Sequence, residues 1–224
     1  MLPAVIILVA GVGAVAYYYR SKLSSLFQGP AQGQLQFAAD GEQPTAGGAP
    51  APVSKPKSGI GNQWDALISA VAGAENVDPV LLKAIIKKET DFDEEAVNPE
   101  KTFTINGQTY SPSSSTGRRL LHDFIAAGGD PASIGVNPSL GLAQVRVSTG
   151  KFFIPGLEAR ELFDPQTNLT ASARLLLQLH DAGVRLETID AYNVGQGRVL
   201  SGELRNLPYR DEVNRNYALF KNDF

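Results

Sequence analysis

The chain of 224 residues contains no cysteine and only two histidines, His122 and His180. Thiolate chemistry and a zinc site built from cysteine and histidine are therefore excluded. The formal net charge is -3, and no basic stripe interleaved with aromatic residues is present. Nucleic-acid binding is excluded as well, because it needs such a positively charged surface. The sequence predicts no metal, no cofactor and no nucleic-acid partner.

The first 62 residues predict an anchor and a linker. Leu2 to Tyr19 is an uncharged apolar run of about 18 residues, which is near the minimum length that spans a bilayer. We interpret residues 1–22 as a transmembrane anchor. A cleaved signal peptide is the alternative, because the Ala-Val-Ala sequence at 14–16 resembles a processing site. Residues 23–62 are rich in glycine, proline and alanine and poor in large apolar side chains, which predicts a flexible, disordered linker.

Residues 63–224 predict one mostly α-helical domain. Apolar residues recur at helical spacing in several segments, and the last of these carries Tyr209, Val213 and Phe220. A domain of about 160 residues can bury a sizeable core without disulfides. The strand-like piece is Thr102 to Tyr110, in which an Asn-Gly pair between alternating residues predicts a β-hairpin.

Glu89 lies at the end of an apolar helical face. An Asp-Pro pair at 78–79 supplies an N-cap and a proline for the first helical position, so a helix is expected to start there. Leu82, Ile85 and Ile86 precede Glu89 at helical spacing and share its side of the helix. A carboxyl group there is partly desolvated, which raises its pKa and lets it donate a proton near neutral pH. The alternative is a solvated last helical turn, because charged residues flank the site on both sides.

Four short motif regions follow in a fixed order. They are IIKKET with AVNP at 85–99, SLGLAQV at 139–145, LFDPQTNL at 162–169 and AYNVGQGRV at 191–199. This series resembles the lytic transglycosylase domain of the soluble lytic transglycosylase and goose-type lysozyme superfamily. The family pattern is a Glu-Ser at a helix end, Gly-Leu-Met-Gln, an Asp-Pro with an Asn three residues later, and Ala-Tyr-Asn-x-Gly. The resemblance implies a lysozyme-like helical (α+β) fold and peptidoglycan glycan strands as the substrate.

By this resemblance Glu89 is the single catalytic residue of a lytic transglycosylase. It would protonate the glycosidic oxygen between N-acetylmuramic acid and N-acetylglucosamine, and then accept the proton of the muramyl C6 hydroxyl. The attack of that hydroxyl leaves a 1,6-anhydro end. One alternative is a hydrolase in which Asp91, Asp93 or another acid positions a water. The other is a catalytically silent anchor or assembly protein.

The resemblance also implies a set of substrate-binding residues. These are Thr90, Gly141, Leu142, Gln144, Tyr192 and Asn193. Tyr192 would hold the carboxyl of Glu89, with a core position as its alternative. Gly141 would let the backbone approach a sugar, and Gln144 would bind acetamido or hydroxyl groups. Asn193 has a structural role, in cross-linking helices, as its alternative.

The segment between the AVNP and SLGLAQV motifs departs from the family pattern. About 40 residues lie there, where many members have a far shorter link. This insert, at about 101–137, contains the predicted hairpin and a helix-like stretch from Arg118 to Gly129. We interpret it as an added wall or lid over the groove.

The charges near the apolar run indicate in which membrane the protein acts. Arg20 and Lys22 follow the run and no basic side chain precedes it, so the positive-inside rule would leave the domain in the cytoplasm. Peptidoglycan is not there. A single-pass enzyme in the virion membrane of a bacteriophage, which opens the wall for the phage genome, resolves the conflict. The alternatives are a bacterial inner-membrane enzyme facing the periplasm and a secretion-system enzyme. Other virion or envelope-complex proteins are candidate partners.

Overall fold

The computed structural model describes residues 59–181, 188–202 and 206–224. The predicted anchor and nearly all of the predicted linker therefore lie outside the described residues. Within those described ranges, no helix is both long enough and apolar enough to cross a membrane. The anchor and the linker remain predictions.

The described residues form a mostly helical domain with small antiparallel sheets, as the sequence predicts. The helices are α1 (Asp65–Glu75), α2 (Pro79–Thr90), α3 (Ser115–Ala126), α4 (Val147–Phe153), α5 (Pro165–Asp181), α6 (Thr188–Val194), α7 (Gln196–Leu200) and α8 (Leu207–Phe220). Short 3-10 helices occupy Asn62–Trp64, Pro131–Ile134 and Ala159–Phe163. The strands are β1 (Val97–Asn98), β2 (Phe103–Ile105), β3 (Gln108–Tyr110), β4 (Ser139–Leu140) and β5 (Val145–Arg146).

The strands β1, β4 and β5 form an antiparallel sheet in that order. Leu140 pairs with Val97 on one side and with Val145 on the other. This sheet brings the AVNP and SLGLAQV motifs together, although the insert separates them in sequence. Strands β2 and β3 form the predicted hairpin. Asn106 and Gly107 at its turn have φ angles of 52° and 75°, as a two-residue hairpin turn of the favoured left-handed kind requires.

Helix α2 begins where the sequence predicts. The Asp78 carboxylate accepts a hydrogen bond from the backbone N–H of Val80 at 2.8 Å, and Pro79 occupies the first turn. Both features satisfy or remove N–H groups that have no partner within the helix. The helix ends at Thr90, because Asp91 adopts a left-handed conformation with φ of 56°.

The apolar face of α2 packs into the core, chiefly against α8. Leu82, Ile85 and Ile86 are fully buried on α2, as are Val213 and Phe220 on α8. Burying each such side chain stabilises the fold by about 1.5–3 kcal/mol before conformational entropy is counted. The packing places the last turn of α2 beside the start of α8.

One charged side chain lies inside this core. Lys83 of α2 is fully buried, and its ammonium lies 2.6 Å from a carboxylate oxygen of Asp65 and 2.6 Å from one of Asp223. The same ammonium lies 4.8 Å from the centre of the Phe220 ring. These contacts join α2 to α1 and to the chain after α8.

The insert folds as the predicted hairpin followed by α3. The Ser114 side chain caps α3 by accepting a hydrogen bond from the Gly117 backbone N–H at 3.0 Å. Leu121 and Ile125 are fully buried on its inner face. The helix packs against β1 and against the 3-10 helix Ala159–Phe163.

Candidate active site

Glu89 lines a cavity of about 390 Å³ where the end of α2 meets the start of α8. The other lining residues are Lys88, Asn193, Asn206, Pro208, Tyr209 and Glu212. Two of the predicted site residues, Glu89 and Asn193, are therefore part of one cavity. Its volume lies in the range of small-ligand sites.

Tyr209 holds the carboxyl group of Glu89. Its hydroxyl donates a hydrogen bond to Oε1 of Glu89 at 2.5 Å. Tyr209 itself is buried, and its backbone N–H donates to the capping side chain of Asn206 at 3.2 Å. Sequence reasoning placed Tyr209 only on the apolar face of the last helix. The contact was missed because it joins residues 120 positions apart and no local pattern marks it.

The pKa of Glu89 is raised from its usual 4.5 to about 7. Burial is the main cause, because loss of hydration disfavours the charged carboxylate, and the negative charge of Glu100 acts in the same direction. The hydrogen bond from Tyr209 and the positive charge of Lys88 oppose the rise. A carboxyl group with this pKa can both hold and accept a proton near neutral pH.

Tyr192 does not make the contact that the sequence predicted. Its hydroxyl donates to the carbonyl oxygen of Ala143 at 2.7 Å and lies 2.9 Å from the hydroxyl of Ser172. Burial, and then the charge of Glu89, raise the pKa of Tyr192. Tyr192 therefore lies near Glu89 but holds the turn between β4 and β5. The hydrogen bond to the carboxyl group that was predicted for Tyr192 is made by Tyr209 instead.

Gly141 and Leu142, two of the predicted substrate contacts, have structural roles in the same turn. Gly141 is buried with φ of 69°, and a Cβ there would lie 2.4 Å from the carbonyl oxygen of Leu162. Close packing therefore requires this glycine. The Leu142 side chain is fully buried, and its carbonyl accepts a hydrogen bond from the Thr90 hydroxyl at 2.8 Å. Thr90 thus ties the end of α2 to the turn.

The two remaining predicted residues differ in their access to substrate. The side-chain amide of Gln144 donates to the carbonyl oxygens of Ala96 and Gly141 at 3.3 and 3.1 Å, so its donor capacity serves the turn. Asn193 is exposed at the cavity, and its side-chain oxygen accepts a hydrogen bond from Asn206 at 2.8 Å. Asn193 therefore remains available to bind substrate. The side-chain N–H groups of Gln144 are not available, because they are already bonded within the turn.

Asn168 explains how the Asp-Pro motif supports the site. This side chain is fully buried at the start of α5. Its oxygen accepts from the Ala143 N–H at 2.9 Å, and its nitrogen donates to the carbonyls of Leu140 and Leu162 at 2.7 and 2.9 Å. These bonds fix the backbone of the turn that Tyr192 and Thr90 also hold, so the role of Asn168 is structural.

The acids that a hydrolase was expected to use do not line the cavity. Asp91 pairs with a lysine one turn earlier, and its side chain is 73% exposed. Asp93 accepts a backbone N–H of its own loop at 3.0 Å. Among the described lining residues, the carboxylate that accompanies Glu89 is Glu212, which pairs with Lys88 at 2.7 Å.

The insert does not cover this cavity. None of the described residues at 101–137 lines it. Helix α3 instead contributes His122 and Ala126 to a separate cleft of about 480 Å³, where the His122 and Phe163 rings lie 4.7 Å apart. The insert therefore does not line the cavity at Glu89, and its role as a wall or lid over the rest of the groove remains a prediction.

The comparison with family models agrees with the resemblance that the motifs suggest. Residues 66–207 match the family described as "Transglycosylase SLT domain". The X-ray structure of an inactive mutant of the lytic transglycosylase Slt from Pseudomonas aeruginosa aligns with 73% of this chain, at 20% identity and a TM-score of 0.42. This chain covers only 23% of that enzyme's chain. No curated protein sequence matches the chain. The family match extends over more than half of the 224 residues, so the chain belongs to the transglycosylase SLT domain family.

Proposed function

We propose that this protein is a peptidoglycan lytic transglycosylase. It cleaves the β-1,4 bond between N-acetylmuramic acid and N-acetylglucosamine and leaves 1,6-anhydro ends. The observation that carries the proposal is the carboxyl of Glu89, which lines a cavity of an SLT domain with its pKa raised to about 7 and a hydrogen bond from Tyr209. Product analysis of digested peptidoglycan by mass spectrometry tests it.

Glu89 serves both proton transfers of this reaction. The protonated carboxyl donates to the glycosidic oxygen as the bond to the muramyl C1 breaks. The muramyl C6 hydroxyl then attacks C1, and the Glu89 carboxylate takes the proton that this hydroxyl releases. General acid–base catalysis of this kind contributes roughly 10² to 10⁴-fold in rate. The substrate's own acetamido group can stabilise the positive charge at C1, so a second carboxylate is not required.

Hydrolysis is the alternative that the products distinguish. A hydrolysed end is heavier than an anhydro end by the mass of one water. The location of Asp91 and Asp93 outside the cavity removes the two acids that were named for positioning a water. We expect anhydro ends as the product, and reducing muramic acid ends alone would overturn the proposal.

The hydroxyl of Tyr209 is expected to set the upper pH limit of activity. It donates to Glu89 and so favours the carboxylate, which means that Tyr209→Phe raises the pKa of Glu89 further above 7. Because the protonated carboxyl starts the reaction, kcat/KM falls as the pH rises through this pKa. The high-pH limb of a pH–rate profile on peptidoglycan should therefore move up by about one unit in Tyr209→Phe, the effect of one hydrogen bond to a charged group.

Tyr217 provides a matched control on the same helix. Its hydroxyl donates to the Asp78 carboxylate at 2.8 Å and does not contact Glu89. Tyr217→Phe should leave the high-pH limb where it is. A profile for Tyr209→Phe that coincides with the wild-type profile would contradict the role of Tyr209.

We further propose that the enzyme is anchored by residues 1–22, carries its domain on the linker at 23–62, and acts from the virion membrane of a bacteriophage. The support comes from the sequence. It consists of the apolar run, the composition of the linker, and the basic residues Arg20 and Lys22 directly after the apolar run. The bacterial inner membrane and a secretion system remain the alternative settings.

Removal of the proposed anchor should leave a soluble enzyme. A chain that begins at Gly59 retains all the described helices and the whole cavity. We expect it to be soluble without detergent and active on isolated sacculi, whereas the full chain should need detergent. Centrifugation and an activity assay measure both properties. Insolubility or inactivity of the shortened chain, next to an active full chain, would contradict the three-part organisation.

A further inference from the structure

An ion pair forms part of the cavity wall next to Glu89. The Lys88 ammonium lies 2.7 Å from the Glu212 carboxylate, and the two side chains are 29% and 43% exposed. Lys88 is in the last turn of α2 and Glu212 is in α8, so the pair bridges the two helices that form the cavity. The Lys88 ammonium also lies 6.0 Å from the centre of the Tyr209 ring.

Stability alone does not account for this pair. Ion pairs with this exposure contribute little to folding, because water solvates both charges well. Helices α2 and α8 are already joined by fully buried residues, among them Ile86, Val213 and Phe220. An ammonium has three donors and a carboxylate has several acceptor sites, so each partner can bind a second charged group.

The location of the pair matches the charged part of the substrate. The sugar that supplies the C6 hydroxyl is the muramyl sugar, so that ring always lies at the reacting centre beside Glu89. The peptide of peptidoglycan is attached to that ring and carries carboxylate and amino groups. The other described lining residues are neutral, namely Asn193, Asn206, Pro208 and Tyr209. The negative charge of Glu100 acts on Glu89, but Glu100 does not line this cavity. Lys88 and Glu212 are the residues of this wall that suit such a zwitterionic substituent.

We propose that Lys88 and Glu212 recognise the peptide on the muramyl sugar and make the enzyme select peptide-bearing glycan. Lys88 binds a peptide carboxylate and Glu212 binds a peptide ammonium while the two side chains stay paired with each other, so the substrate gains two charge contacts. The inference rests on the proposed transglycosylase function and adds a substrate preference to it.

The experiment compares two soluble glycan strands of matched length. One retains its peptides, and the other has lost them by treatment with an amidase that cuts the bond between peptide and sugar. The full chain in detergent is assayed on both, and the ratio of the two kcat/KM values is measured. We expect the wild type to favour the peptide-bearing strand by about tenfold, the effect of two partly exposed charge contacts. Lys88→Gln and Glu212→Gln each remove one of the two contacts, so each should lower this ratio to about threefold.

The ratio separates recognition from effects on Glu89. Lys88→Gln also alters the charge next to Glu89, but this change acts on both substrates equally and cancels in the ratio. Lys87→Gln is the matched control, because Lys87 lies one position earlier, pairs with Asp91 and does not line the cavity. It should leave the preference at its wild-type value.

The charge-exchanged variant Lys88→Glu/Glu212→Lys separates recognition from a simple tie between helices. It keeps an ion pair between α2 and α8 but reverses the two charges. If the pair only ties the helices, this variant keeps the wild-type ratio of the two kcat/KM values, and the inference is overturned. If the pair recognises the peptide, the reversed charges no longer match the peptide and the ratio falls toward one.

Two further results would overturn the inference. One is a wild type that cleaves both strands at equal rates. The other is an equal loss of rate on both strands in Lys88→Gln and Glu212→Gln, with the ratio unchanged. Failure of the proposed function looks different, because neither strand then gives anhydro ends.

Discussion

Glu89→Gln is expected to lower the rate of glycan cleavage by at least roughly 10² to 10⁴-fold, the range of general acid–base catalysis. Glutamine has nearly the same shape as glutamic acid and can still accept the hydrogen bond from Tyr209, which Glu89 receives at 2.5 Å. It has no proton to give to the glycosidic oxygen and cannot take one from the muramyl C6 hydroxyl. Release of soluble muropeptides from sacculi, followed by chromatography, measures the loss.

The stability of Glu89→Gln shows whether the variant is folded, and the raised pKa of Glu89 predicts how this stability differs from that of the wild type as the pH changes. The folded state raises that pKa from 4.5 to about 7, so it binds more protons than the unfolded state between these values. The contribution of Glu89 to stability is therefore fully present below about pH 4.5 and is lost as the pH rises through 7. Glutamine does not titrate. As the pH rises over this interval, the melting temperature of Glu89→Gln should therefore increase relative to that of the wild type. Wild-type rates from a folded Glu89→Gln would overturn the assignment.

The sequence predicts those parts of the site that depend on local chemistry. The Asp-Pro pair at 78–79 caps and starts α2, and the apolar spacing before Glu89 determines which side of the helix is buried. The Asn-Gly pair at 106–107 determines the hairpin turn for a similar reason, because few residues accept a left-handed backbone. In each case neighbours within about one turn of chain supply the physical cause.

The sequence does not predict which groups meet Glu89 across the fold. The family pattern placed Tyr192 near the carboxyl, and the electrostatic effect of Glu89 on the pKa of Tyr192 agrees with that neighbourhood. The hydrogen bond nevertheless comes from Tyr209, because the packing of α8 on α2 decides which hydroxyl reaches Oε1. Gln144 was assigned to substrate because it offers both a donor and an acceptor. In the tight turn, however, the amide N–H groups of Gln144 donate to the carbonyls of Ala96 and Gly141, which need hydrogen-bond partners.

Lys83 is the largest departure from the sequence pattern, because a lysine within a run of apolar residues gives no sign of its own burial. Replacement by methionine keeps much of its volume but leaves Asp65 and the fully buried Asp223 without this counter-charge. Breaking a buried ion pair from one side costs about 3–5 kcal/mol. We expect Lys83→Met to lower the melting temperature of the chain beginning at Gly59 by on the order of 10 °C. Lys87→Met, which breaks an exposed pair, should change it little.

The cause is tested by removing the other two charges as well. A triple variant with Lys83→Met, Asp65→Asn and Asp223→Asn carries none of the three charges of this cluster, so it should be more stable than Lys83→Met alone. A triple variant less stable than Lys83→Met would contradict this explanation, as would a single variant within about 1 kcal/mol of the wild type. The contacts of Lys83 also join α2 to the chain after α8, and α8 carries Tyr209. Loss of this ion pair should therefore loosen the hydrogen bond to Glu89, and folded Lys83→Met at low temperature should show a reduced kcat.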